Sequence, residues 1–146
     1  MRVEIDIARR VEAPADTVWT LVGAFGSDTL TRGYVEKVEV EGEGLGAVRT
    51  YHTVERLGGA AVRQRLDILD PVDRVIGYRM VDNGSVPWTD YAGVIRVTPC
   101  GPAACAVSMH LHYIPYGADE QTCRTLSHQN VDAYFANLNR ALGLDA

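Results

Sequence analysis

The sequence predicts an α+β domain in which one antiparallel sheet curls around a long C-terminal helix and leaves a cavity between them. Three observations carry this. Residues 34–114 divide into short alternating runs separated by Gly-, Pro- or Asp-bearing turns, the pattern of an antiparallel meander. Residues 122–142 contain no Pro or Gly and repeat Leu126, Val131, Tyr134, Phe135, Leu138 and Leu142 at helical spacing. The chain of 146 residues reads as a single domain, 1–146, whose core needs no disulfide or metal staple.

The elements follow in order. Val3–Val11 alternates with period two and reads as a strand. Ala13-Pro14-Ala15-Asp16 opens a helix, with proline suited to the first turn and Asp16 to the positive end of the dipole. Val18, Trp19, Leu21, Val22 and Phe25 form its apolar stripe, and Gly26-Ser27-Asp28 stops it. Strands are expected over 34–41, 47–55, 61–69, 74–81, 88–98 and 105–114, with breaks at Gly42-Glu43-Gly44, Gly58-Gly59, Asp70–Asp73, Asp82–Pro87 and Pro99–Pro102. A final helix of about 20 residues spans about 30 Å, the width of a small domain. A meander this long must cover one face, so the sheet is expected to wrap the terminal helix. Imperfect closure leaves an internal space, expected at several hundred Å3, on the order of ordinary small-molecule sites.

Bulk properties exclude several function classes. A net charge of −5 repels phosphate backbones, so no nucleic-acid partner is expected. No basic amphipathic stretch or long apolar run suggests a membrane partner. The start, MRVEIDIARRVEAP, lacks the apolar core of a signal peptide. Together with three cysteines lacking zinc spacing (Cys100, Cys105, Cys123), this implies a cytoplasmic protein with free thiols, although Cys100 and Cys105 flank a turn and could pair if oxidised. Gly42-Glu43-Gly44-Leu45-Gly46 looks like a phosphate loop but is acidic and flanked by strands, so it reads as a hairpin turn.

Four segments carry a family resemblance: Val18-Trp19-Thr20-Leu21-Val22, Gly46-Ala47-Val48-Arg49, Arg65-Leu66-Asp67-Ile68-Leu69-Asp70 and Thr89-Asp90-Tyr91. With the element order, they resemble the START-like helix-grip superfamily, SRPBCC, which includes polyketide cyclases/dehydrases and plant abscisic acid receptors. The resemblance implies a helix-grip fold with a ligand cavity. It does not extend to the receptor gates: Glu55-Arg56-Leu57-Gly58 stands where the receptors have Ser-Gly-Leu-Pro, and Val86-Pro87-Trp88 where they have His-Arg-Leu. Because one fold hosts many activities, the match speaks to architecture more than chemistry.

Alternation places Val62, Gln64, Leu66 and Ile68 on the cavity face. The resemblance adds Tyr51, Thr53, Tyr78, Met80, Trp88, Tyr91, Gly93 and Ile95, and leaves His52 outside. Two strands give conflicting readings. Pattern buries Val107, Met109, Leu111 and Tyr113, whereas the resemblance turns Ser108, His110 and His112 inward. Pattern buries Val38 and Val40, whereas the resemblance turns Lys37 inward, to the position of the receptors' carboxylate-binding lysine. The resemblance is preferred at both, because a ligand or water can satisfy polar groups in a cavity.

On that reading His110 is a general acid/base near neutral pH, and Lys37 and the tyrosines, Tyr91 in particular, donate to an oxyanion or carboxylate. Tyr51, Thr53, Val62, Gln64, Tyr78, Met80, Trp88, His112, Tyr134 and Asn137 contact substrate. His110 and His112 could clasp a metal, but no third ligand has suitable spacing, so no metal and no cofactor are expected. The expected function is a cofactor-independent, polyketide cyclase/dehydrase-like enzyme acting on a hydrophobic or aromatic small molecule in biosynthesis. The alternative is a non-catalytic carrier. A homodimer is compatible with the sequence, which does not fix the oligomeric state.

Overall fold

The computed structural model describes residues 2–57, 59 and 61–144. Its elements are β1 (Val3–Val11), α1 (Ala15–Val22), β2 (Val35–Glu41), β3 (Val48–Thr53), a 3-10 turn (Glu55–Leu57), β4 (Ala61–Asp70), β5 (Val75–Asp82), β6 (Trp88–Pro99), β7 (Cys105–Pro115) and α2 (Glu120–Ala141). The expected break at Gly58-Gly59 lies partly outside the described residues. All seven strands join one antiparallel sheet in the order β1-β7-β6-β5-β4-β3-β2. The crossover that seats β1 beside β7 puts the first and last strands next to each other.

The terminal helix is unbroken over 22 residues. Asp119 caps it by accepting from the Thr122 backbone N–H at 2.7 Å. Its buried face, Cys123, Ser127, Val131, Tyr134, Phe135 and Leu138, packs on the concave side of the sheet. Ser127 and Tyr113 of β7 are hydrogen-bonded at 2.8 Å, and Arg9 of β1 reaches over the Phe135 ring to Asp132. No described helix is long and apolar enough to cross a membrane. Tyr113→Phe removes a buried hydrogen bond without changing shape. It is expected to cost about 1 kcal/mol and to lower Tm by roughly 3 °C, read by thermal unfolding.

The sheet bends through β-bulges, with register shifts at Val35/Lys37, Arg63/Gln64, Leu66/Ile68 and Thr89/Ala92. Each inserts a residue and reverses the alternation beyond it. Three sequence expectations are corrected on this ground or by simple alternation. At β2 the bulge reverses the phase after Val35, so Lys37 pairs with His52 on the convex face and is exposed. At β4 the bulge turns Ile68 outward, 41% exposed, over Gly77. In β7 no bulge intervenes, and Cys105, Val107, Met109, Leu111 and Tyr113 are all buried. Turning His110 and His112 inward would expose all five, at about 1.5–3 kcal/mol for each large apolar side chain. Ser108, His110 and His112 therefore face outward.

On that outer face His110 contacts carboxylates of β1, with Nδ1 2.6 Å from Asp6 Oδ1 and Nε2 3.5 Å from Glu4 Oε1. Its side chain is 41% exposed. His112 is half-buried beside it, the two rings 5.9 Å apart, and burial lowers its pKa, helped by nearby Arg2.

The bulge on β6 has the opposite consequence. Trp88 and Tyr91 are three apart and would face opposite ways in a regular strand. With Asp90 at φ 53° inside the Thr89/Ala92 bulge, both point inward.

Candidate functional site

Between the concave sheet and the two helices lies a cavity of about 110 Å3. Leu21 and Val22 of α1, Ser127, Asn130, Val131 and Tyr134 of α2, and inward residues of β3–β7 form its wall. It is smaller than the several hundred Å3 expected. Trp88, Tyr91 and Tyr113 stack with centroids 5.2–6.1 Å apart and fill one end. This is several times the roughly 10–15 Å3 needed to admit a single water, room for a small one- or two-ring molecule.

Of the expected site residues, Tyr51, Thr53, Val62, Gln64, Tyr78, Met80, Trp88, Tyr91 and Tyr134 line the cavity. Lys37, His110 and His112 do not, for the reasons of strand phase given above. Asn137 is buried but serves structure. Its amide donates to the carbonyls of Leu30 (3.1 Å) and Arg32 (2.9 Å), pinning the segment after α1 to α2, and its oxygen accepts from Arg140.

Two lining residues of consequence were not anticipated, Arg49 and Tyr34. Arg49 lies on β3 two residues before Tyr51 and opposite Gln64 on β4. Facing residues share a side of the sheet, so its Nε donates to Gln64 Oε1 at 2.9 Å. Nη1 donates to the Phe25 carbonyl at 3.1 Å. The guanidinium stands 4.3, 4.5 and 4.6 Å from the ring centroids of Phe25, Tyr51 and Tyr78. These aromatic faces attract the cation and fix its plane. Arg49 is only 7% exposed. The spacing Arg49, Tyr51, Thr53 was the available signal, since alternation puts Arg49 on the same face as Tyr51, which the resemblance turned inward.

The phenols are electrostatically uniform. Burial pushes the Tyr51 hydroxyl up to about 12. It raises Tyr34, Tyr78, Tyr91 and Tyr134 as well. All five are neutral near pH 7 and act as hydrogen-bond donors rather than bases. Tyr78 and Tyr91 are hydrogen-bonded to each other and stack at 6.3 Å. Among the described lining residues there is no carboxylate, imidazole or amine, so Arg49 carries the only formal charge on the wall. Among the described residues no group of three or more His, Cys, Asp or Glu could hold a metal ion, and the three cysteines are free thiols.

The fold is shared with solved structures. The chain is similar to the Zhui aromatase/cyclase of a Streptomyces species, with a TM-score of 0.80 and 22% identity, over 97% of this chain and 94% of the other. It is also similar to norcoclaurine synthase from Thalictrum flavum, a structure in complex with dopamine and hydroxybenzaldehyde. There the TM-score is 0.77 and the identity 20%, over 97% and 87% of the two chains. At these identities the likeness is one of fold. Abscisic acid receptor PYL1 of Arabidopsis thaliana is 29% identical over 94 residues, 62% of this chain and 42% of the receptor. The match thus spans about two fifths of that relative's length. Residues 2–143 match the family described as polyketide cyclase / dehydrase and lipid transport. With a match running nearly end to end on a helix-grip fold, the chain belongs to that family.

Proposed function

We propose that the cavity binds a one- or two-ring aromatic or short polyketide-derived molecule and promotes its cyclisation or dehydration without a redox cofactor. The observation that carries this is the convergence of Arg49 with the linked phenols of Tyr78 and Tyr91 on one cavity wall. Cyclisations and dehydrations of carbonyl compounds pass through enolates. A fixed cation and neutral phenol donors in a pocket shielded from bulk water stabilise the charge that develops on the enolate oxygen. Apolar Val62, Met80 and Ile95 press the bound chain into a folded shape, which supplies proximity. His110, on the convex face, has no part in this. The proton leaving carbon passes to water in the cavity or to a basic oxygen of the substrate. A cytoplasmic location belongs to the same proposal, supported by the free thiols.

A second reading, carriage without turnover, is favoured by the missing imidazole, carboxylate and amine among the described lining residues. Deuterium uptake from D2O at the α-carbon of a bound aryl ketone separates the two. Turnover predicts acceleration over buffer that Tyr91→Phe lowers by roughly 10²–10³, the usual effect of losing one oxyanion donor, and that His110→Ala leaves unchanged. Saturable binding without acceleration would establish the carrier.

A further inference from the structure

We infer that the cavity selects ligands bearing a single oxyanion, a carboxylate or an acidic enol or phenol in its ionised form, and that Arg49 is the residue that selects them. The inference rests on the cavity-binding reading above and adds the charge of the ligand to it.

A buried arginine ordinarily has a counter-ion, because burying a lone cation is costly. Arg49 has none. No carboxylate forms an ion pair with it among the described residues, and no described lining residue is anionic. Its compensation is neutral: one amide oxygen, one carbonyl and three ring faces. Those two hydrogen bonds use Nε and Nη1 and leave Nη2 out, on a guanidinium that lines the cavity. The surrounding phenols are held protonated by burial and so offer hydrogens rather than competing charge. Positive charge and O–H donors together complement an acceptor-rich anion and discriminate against an amine or ammonium ligand. The selection is local, because the protein as a whole carries −5 and repels anions at long range.

The test compares matched acids and amides, benzoate with benzamide and trans-cinnamate with cinnamamide, by titration calorimetry at pH 7. The wild type should bind each acid about 10–100-fold more tightly than its amide, the range of a desolvated charge-assisted hydrogen bond. Arg49→Gln should bring the ratio close to one, and Arg49→Lys should keep most of it. 4-Nitrophenol, followed by the absorbance of its anion, tests the second source of oxyanion. The wild type should shift it toward the phenolate and Arg49→Gln should not. Preference for acids but not for the phenolate assigns the site to carboxylates, and the reverse assigns it to enols and phenols. A ratio near one in the wild type together with no phenolate shift, or a preference that survives Arg49→Gln, overturns the inference. Amides that bind as well as acids, with no phenolate shift, would sink the role of charge while leaving the ligand cavity intact. Failure of every compound to bind would remove the cavity reading and this inference with it. If Arg49→Gln does not fold, the wild-type ratios and Arg49→Lys still decide.

Discussion

Trp88→Ala is expected to destabilise the protein by about 3–5 kcal/mol, a Tm loss of roughly 10–15 °C for a chain of this size, and to move ligand preference toward larger molecules. Trp88 is 6% exposed and packs against Tyr91 (6.1 Å) and Tyr113 (5.2 Å) at the filled end of the cavity. Removing the indole forfeits its buried area and leaves a void that the rigid bulge around Asp90 cannot close. Because Trp88 lines the cavity, the void is continuous with the 110 Å3 already present. A two- or three-ring ligand should therefore stabilise the variant more than the wild type, since binding to the folded state raises Tm by mass action. Thermal unfolding with and without 2-naphthoate and anthracene-2-carboxylate measures both effects. A Tm within about 3 °C of wild type, or an unchanged order of ligand sizes, would show that Trp88 only anchors its loop.

The fold was readable because it rests on long-period features. Uninterrupted helical spacing located α2, and turn residues located the strand breaks that fall among the described residues. The facing of side chains was readable only where the period of two runs undisturbed. On β7 the apolar alternation of Val107, Met109, Leu111 and Tyr113 was the correct guide. The resemblance misled there because a family match fixes the order of strands more securely than it fixes their phase. On β4 a single inserted residue beside Ile68 reversed the face, whereas on β2 the apolar Val38 and Val40, opposite Tyr51 and Arg49, marked the inner side correctly and the resemblance at Lys37 did not. Nothing in local composition marks a bulge that forms to let the sheet bend around a helix far along the chain. The same device worked in favour of the site at Trp88 and Tyr91, which only a bulge can aim the same way. Arg49 escaped notice because charge on a strand ordinarily faces water. Its burial depends on Gln64 across the register and on three rings from α1's flank, β3 and β5, partners that become neighbours only in the folded sheet.

Gly93→Val is expected to weaken ligand binding markedly at a cost to stability at the upper end of the roughly 1–3 kcal/mol typical of overpacking. Gly93 lies on β6 between Tyr78 of β5 and Leu111 of β7. A Cβ at this position would come 2.8 Å from the Tyr78 Cζ and Oη and 2.9 Å from Leu111 Cδ2. A glycine inside a strand often marks such a close approach. The Tyr78 ring cannot yield freely, because it carries the Arg49 guanidinium on its face and the Tyr91 hydrogen bond at its tip. Displacing it disturbs cation, phenol pair and cavity wall together, so affinity for an aromatic acid should fall at least about tenfold, the equivalent of about 1.4 kcal/mol. Gly77→Val provides the control. Its Cβ would meet the Ile68 side chain at 2.8–3.0 Å, on the convex face. Ile68 is partly exposed and can swing outward into solvent. That variant should lose stability yet keep ligand affinity. Equal losses of affinity in the two variants would mean that sheet integrity, rather than the placement of Tyr78, governs the site; full binding by Gly93→Val would remove Tyr78 from it.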